Sequence, residues 1–441
     1  MQSFLQLVAH DLYAKIGNDL SRTALIFPNK RANLFFNEYL AGESDQPIWS
    51  PAAMSISDLF QKLSVQKSGD PIRLVCELYK VFKEETQSQE TLDDFYFWGE
   101  LLISDFDDVD KNMVDADKLF SNLQDLKNLM DDYEFLDKEQ EEAIQQFFQN
   151  FSIERRTELK EKFISLWDKL GTIYHHYREN LTELGIAYEG MLYRNVIEQL
   201  DTDQLKYDKY IFVGFNVLNK VENEFFRKLK DAGKALFYWD YDIFYTQQIR
   251  KHEAGEFLKR NLGEFPNELP ESFFDIFKEP KKIRYISAST ENAQARFLPE
   301  WIKMITDNHS QIAEEKEKEN AVVLCNEALL LPVLHSIPQE VKNVNITMGF
   351  PLAQTPVYSF INAAMELQTN GYRSDTGRFT YEAVSAILKH PYTRQISSHA
   401  GPLERELTKT NRFYPLPSEL KQDDFLATLF TPRSEEHTSE L

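Results

Sequence analysis

Apolar positions at the start of the chain alternate between two spacings. Phe4, Leu5, Val8 and Leu12 recur at three and four residues, which predicts a helix over 4–16. TALIFP (23–28) is a continuous apolar run closed by proline, the pattern of a strand buried on both faces. Helical spacing returns over 30–41 with Leu34, Phe35 and Leu40, and over SISDLFQKL (55–63), with Ser57 placed as its N-cap. The opening therefore predicts an α/β layer.

Residues 72–200 contain no proline and keep helical spacing, from Leu74, Leu78, Val81 and Phe82 to Phe163, Leu166, Leu170, Ile173 and Tyr177. Such a stretch is too long for one strand-to-strand crossover and predicts a helical insertion. Short apolar runs then recur at 209–218, 235–242, 284–289, 319–326 and 344–349, with helices predicted over 219–231, 291–306 and 356–369. Strands alternating with helices predict parallel sheets. EEKEKE (314–319) reads as a charged connector, and RSEEHTSEL (433–441) as translated sequencing adapter, so the natural chain is expected to continue past Pro432.

Composition sharpens this picture. Only 15 of 441 residues are glycine, which suits a helix-rich chain with few glycine-built phosphate loops. Two distant cysteines, Cys76 and Cys325, exclude a disulfide scaffold. No apolar run nears the ~18 residues that span a bilayer, and MQSFLQLVAHDLYAK lacks a basic leader, so a cytoplasmic location is expected. The net charge is −22, which alone disfavours a DNA binder. Residues 81–150, however, hold 20 acidic residues against 5 lysines, so the excess belongs mainly to the helical insertion.

Several chemistries have no motif. There is no GxxxxGKS/T, GxGxxG, HExxH, GxSxG or CxxC. His175 and His176 are adjacent on a predicted helix and point to different faces. DFDDVD (105–110) lacks the glycine and the twelfth-position glutamate of a calcium loop and reads as a solvated acidic face. No PD-(D/E)XK set occurs in 1–432, so neither catalytic nor metal-ligating residues are assigned. FPNKRANLFFNEYL (27–40) places Asn29, Lys30 and Arg31 between a buried strand and a helix start, where cations and free amides suit phosphate oxygens. A solvated turn is the plain alternative.

Four segments carry a resemblance: FPNKRANLFFNEYL, DDFYFWGELLISDFDDVDKNMVDADKLF (93–120), YIFVGFNVLNKVENEFF (210–226) and VNITMGFPLAQTPVYSFI (344–361). Together they resemble the N-terminal half of AddB-like proteins of the bacteroidete type, often labelled PD-(D/E)XK nuclease family. These are helicase–nuclease subunits of DNA double-strand-break repair and recombination. The resemblance implies an α/β UvrD-like (superfamily 1) helicase scaffold, with RecA-like parallel-sheet layers and large helical insertions. Residues 1–60 and 205–275 would form a degenerate first layer, with 61–204 as its insertion. Residues 280–370 would begin the second layer and 371–432 a second insertion.

The family's nuclease domain, an exonuclease using Mg2+, lies at the far C-terminal end, so no cofactor is expected in this stretch. The family's partners are single-stranded or end-processed DNA and an AddA-like motor subunit. The strand at 210–216 ends in Gly214, Phe215 and Asn216 where a motor would carry Asp-Glu to hold magnesium. The resemblance therefore implies a pseudo-helicase, inactive by itself. Lys30 and Arg31 match the strand–helix motif that faces single-stranded DNA. Ser289 and Thr290 would bind phosphate or simply cap a helix, and Thr347 follows a predicted strand, with Gly349 serving a turn. The alternative role is a scaffold that docks the motor subunit and scarcely touches DNA.

Overall fold

The computed structural model describes residues 2–120, 169–247, 253–305 and 320–432. The helix expected around Phe163 and Leu166, the charged connector and the adapter-like tail lie largely or wholly outside them. The chain divides into two compact units, Met1–Lys282 and Ile283–Leu441.

The first unit opens with α1 (Phe4–Ile16), β1 (Thr23–Phe27), α2 (Ala32–Ala41), β2 (Ala52–Ser55) and α3 (Ile56–Leu63). The insertion follows as β3 (Lys67–Ser68), α4 (Pro71–Thr86), α5 (Leu92–Lys111), α6 (Leu170–Glu183), β4 (Ile186–Ala187) and α7 (Glu189–Gln199). The layer then resumes with β5 (Lys209–Val213), α8 (Lys220–Asp231) and β6 (Ala235–Tyr238). Four strands form one parallel sheet in the order β2-β1-β5-β6. The α/β expectation holds at this level: the protein is helix-rich and built on a parallel sheet.

Alternation along β1 divides the core. Leu25 and Phe27 join Val8, Leu12, Phe36 and Leu40 of α1 and α2 on one face. Ala24 and Ile26 join Phe60, Phe212, Phe225, Phe226 and Phe237 on the other, continuous with the core of the insertion. Both faces are covered, so all five β1 residues are buried.

Local chemistry fixes the helix starts. Ser55 and Asp58 form a reciprocal capping box on α3, so the N-cap is Ser55 and not Ser57. Thr91 with Asp94 caps α5, Asn219 with Glu222 caps α8, and Asp70 followed by Pro71 begins α4.

The acidic run 105–110 corrects an expectation. Asp110 is fully buried and is not part of a solvated face. Its Oδ1 accepts from Tyr174 at 2.6 Å, from Arg194 at 3.3 Å and from Arg178, while Oδ2 accepts from Tyr188 at 2.5 Å. Arg178 reaches on to Asn195 at 2.9 Å, and Asn195 to Gln66 at 2.7 Å. Phe106, Val109 and Asp110 share one helix face at i, i+3 and i+4, so Asp110 lies in phase with the buried stripe. The network joins α5, α6 and α7, and burial holds the Tyr188 hydroxyl well above its ordinary pKa.

The second unit differs from the expected alternation. Helices Pro356–Thr369, Tyr381–Lys389 and Ala400–Lys409 pack around Leu367, Val384, Ile387 and Leu403. Its strands among the described residues are a two-residue antiparallel pair, Tyr372–Arg373 with Arg378–Phe379. Among the described residues, the segments expected as strands at 284–289, 344–349 and the described part of 319–326 form no strand. Tyr285 is 93% and Val323 84% exposed. A short apolar run becomes a strand only when neighbours complete its hydrogen-bond ladder and cover its faces. Gly349 has no left-handed φ and open space where a Cβ would stand, so no turn requires it.

Candidate phosphate-facing site at the sheet switch point

The chain leaves β1 toward β2 on one side and later returns with β5 on the other side. The carboxyl ends of β1 and β5 therefore diverge at a topological switch point, the place where open parallel sheets bind ligands. The loop leaving β1 carries Pro28, Asn29, Lys30 and Arg31.

Asn29 builds this turn. Its Oδ1 accepts the backbone N–H of Arg31 at 3.1 Å and of Ala32 at 3.3 Å. Two amides at the α2 start are thereby occupied, so an anion at this turn would be met chiefly by the cationic side chains. Arg31 is exposed, and its guanidinium makes no ion pair among the described residues. The Lys30 Nζ lies 2.9 Å from Asp58 Oδ1 with its side chain 75% exposed. The pairing register explains this contact: Phe27 stands opposite Ser55, and three residues beyond each come Lys30 and Asp58. The Asp58 Oδ2 accepts from Ser55 Oγ at 2.7 Å and Ser55 N–H at 3.2 Å. Lys30 first, then Ser55, hold the Asp58 carboxyl below its ordinary pKa. The stability this adds is present above the ordinary carboxylate pKa and is lost as pH falls through the lowered one.

The loop leaving β5 faces the same end of the sheet. Gly214 takes φ +73°, a left-handed conformation that turns the chain sharply. Phe215 goes into the core, the Asn216 carbonyl accepts from Asn261 at 2.6 Å, and Val217 is exposed. Where the insertion meets α3, Glu189 accepts from Ser57 at 3.3 Å, Tyr193 at 2.9 Å and Lys111 at 2.6 Å. Burial raises the pKa of nearby Glu222.

The spacing over 30–41 placed Leu34, Phe35 and Leu40 on one apolar helix face, and of the three the structure buries only Leu40. In α2 the buried positions are Phe36 and Leu40, whereas Leu34 is 68% and Phe35 41% exposed. Arg31 and Phe35 are four apart and share a helix face. The sequence signal was the run Leu34-Phe35-Phe36, three consecutive apolar residues where one helix face takes fewer.

The other candidates lie in the second unit. Thr290 is the N-cap of helix Glu291–Arg296, its Oγ accepting from Ala293 N–H at 3.1 Å. Ser289 beside it is exposed, and Thr347 sits exposed in a segment without regular secondary structure. His175 pairs with Asp117 at 2.7 Å and His176 with Glu85 at 2.6 Å, so the two rings do point apart. No group of three or more His, Cys, Asp or Glu among the described residues is arranged to hold a metal ion. No helix among them is long and apolar enough to cross a membrane. Compared with known proteins, the chain matches no family model and no curated relative.

Proposed function

We propose that residues 1–432 are a non-motor, DNA-binding part of an AddB-like helicase–nuclease acting in double-strand-break repair and recombination. They would bind single-stranded or end-processed DNA beside an AddA-like motor subunit on a UvrD-like scaffold, in the cytoplasm. The nuclease chemistry and its Mg2+ would belong to the family's C-terminal domain. The observation that supports this reading is the switch-point turn. Lys30, exposed, and Arg31, exposed and without an ion pair among the described residues, follow the carboxyl end of β1, and the exposed Phe35 lies one helical turn beyond Arg31. Cations for phosphates beside an aromatic face for bases are what a sequence-tolerant single-strand site needs.

Fluorescence anisotropy with a labelled oligothymidylate tests it. Lys30→Ala plus Arg31→Ala weakens binding about tenfold at low salt, and the slope of log affinity against log salt shrinks by about 1.4 for two lost phosphate contacts. Unchanged affinity and slope would remove the site. Phe35→Ala weakens binding by about 1–3 kcal/mol, the worth of one stacked base, with a smaller change in salt slope. An identical curve would reduce Phe35 to an ordinary surface residue.

The scaffold reading draws on a different observation. Val357, Ile361 and Met365 form an exposed apolar stripe at i, i+4 and i+8 on helix Pro356–Thr369, with Phe350 and Leu352 exposed ahead of it. It predicts capture of a motor subunit that survives the Lys30 and Arg31 substitutions.

A further inference from the structure

Resting on the single-strand reading above, we infer that Asp58 is a built-in stand-in for phosphate, holding Lys30 until a nucleic-acid backbone displaces it. The ion pair is asymmetric. Asp58 is fixed: its Oδ2 is held by Ser55 in the capping box, and a carboxylate in the first turn of α3 is favoured by the helix dipole. Lys30 is the movable partner. Its ammonium sits on a flexible four-carbon stem with most of its side chain exposed. An incoming phosphate therefore takes Lys30 by exchange and leaves Asp58 on its cap.

Arg31 has no such carboxylate among the described residues and is exposed. The two cations thus act in sequence: Arg31 makes the first contact, and Lys30 adds its charge only when the backbone lies close enough to outbid Asp58. An isolated anion competes poorly against a fixed carboxylate, whereas a polymer already held at Arg31 presents its next phosphate at high local concentration. Asp58 would in this way favour polyanions over free phosphate.

Exposed pairs are worth little, so removing the Asp58 charge tightens oligothymidylate binding by about threefold to fivefold. Anisotropy is measured on the full chain as wild type, Asp58→Asn, Lys30→Ala and the double variant Lys30→Ala/Asp58→Asn. Exchange predicts a gain for Asp58→Asn that disappears when Lys30 is absent. A gain of equal size in the Lys30→Ala background would mean simple repulsion and would overturn the exchange. No gain in either background, while Lys30→Ala plus Arg31→Ala still weakens binding, overturns the inference and leaves the DNA reading standing. No effect of the Lys30 and Arg31 substitutions overturns both. Asp58→Gln keeps a capping-box partner without the charge, so it carries the same test should Asp58→Asn unfold.

Discussion

Replacing Asp110 by alanine lowers the stability of the first unit by about 3–5 kcal/mol, the cost of leaving buried partners without their counter-charge. Arg178 and Arg194 lose their shared carboxylate, and the Tyr174 and Tyr188 hydroxyls lose their acceptor. Each donor stranded away from water adds its own desolvation cost. Asp110→Asn keeps the shape and two acceptor lone pairs, so it falls between wild type and alanine. Asp108 is exposed on the same helix, and its removal changes stability by less than about 0.5 kcal/mol. Urea unfolding followed by hydrogen exchange in α5 and α7 checks the ranking. Equal effects of Asp108→Ala and Asp110→Ala would show that the network contributes nothing. DNA binding well below the unfolding midpoint is retained, because the lesion lies in the insertion and not at the switch-point turn.

The same residue shows what the sequence hides. DFDDVD looks like a solvated run because charge dominates its composition. Helical phase tells another story, since Phe106, Val109 and Asp110 fall on one face. The partners of Asp110 arrive from 174–194, far along the chain, and no local pattern announces them. β1 was legible because both its faces are covered, which leaves an uninterrupted apolar run. The segments 284–289 and 344–349 carry similar runs without forming a strand, since a run reports burial propensity and not the presence of neighbours.

The candidate site divides the same way. Lys30 and Arg31 were readable because a strand, a proline and a helix start lie in immediate succession. Asp58 was not, because only the opposition of Phe27 and Ser55 across the parallel pair brings it beside Lys30. Asn29 stands between β1 and α2 as its position in the sequence implies, and its carboxamide oxygen accepts from the α2 start.

Phe226→Ala is expected to be as damaging as the loss of Asp110, by a different route. Phe226 is fully buried, with ring centroids 3.9 Å from Phe212, 5.3 Å from Phe215, 5.6 Å from Phe237 and 5.8 Å from Phe265. The four neighbouring rings come from β5, the loop after it, β6 and the segment beyond β6, so one side chain of α8 ties four other pieces of the layer together. Deleting it costs about 3–5 kcal/mol in lost transfer energy and residual cavity. Lost edge-to-face contacts add to this. The midpoint in urea falls with the slope of the transition unchanged, since native and unfolded surfaces are nearly preserved. Unlike the Asp110 lesion, this one reaches the candidate site. α8 begins at the Asn219 cap directly after the loop bearing Asn216 and Val217, and β5 supports β1 across the switch point. Amides of β5 and β6 should exchange faster, and oligothymidylate affinity should fall even under conditions where the unit remains folded. Wild-type affinity in a destabilised but folded Phe226→Ala protein would separate the switch-point turn from the layer beneath it and would place the binding surface elsewhere.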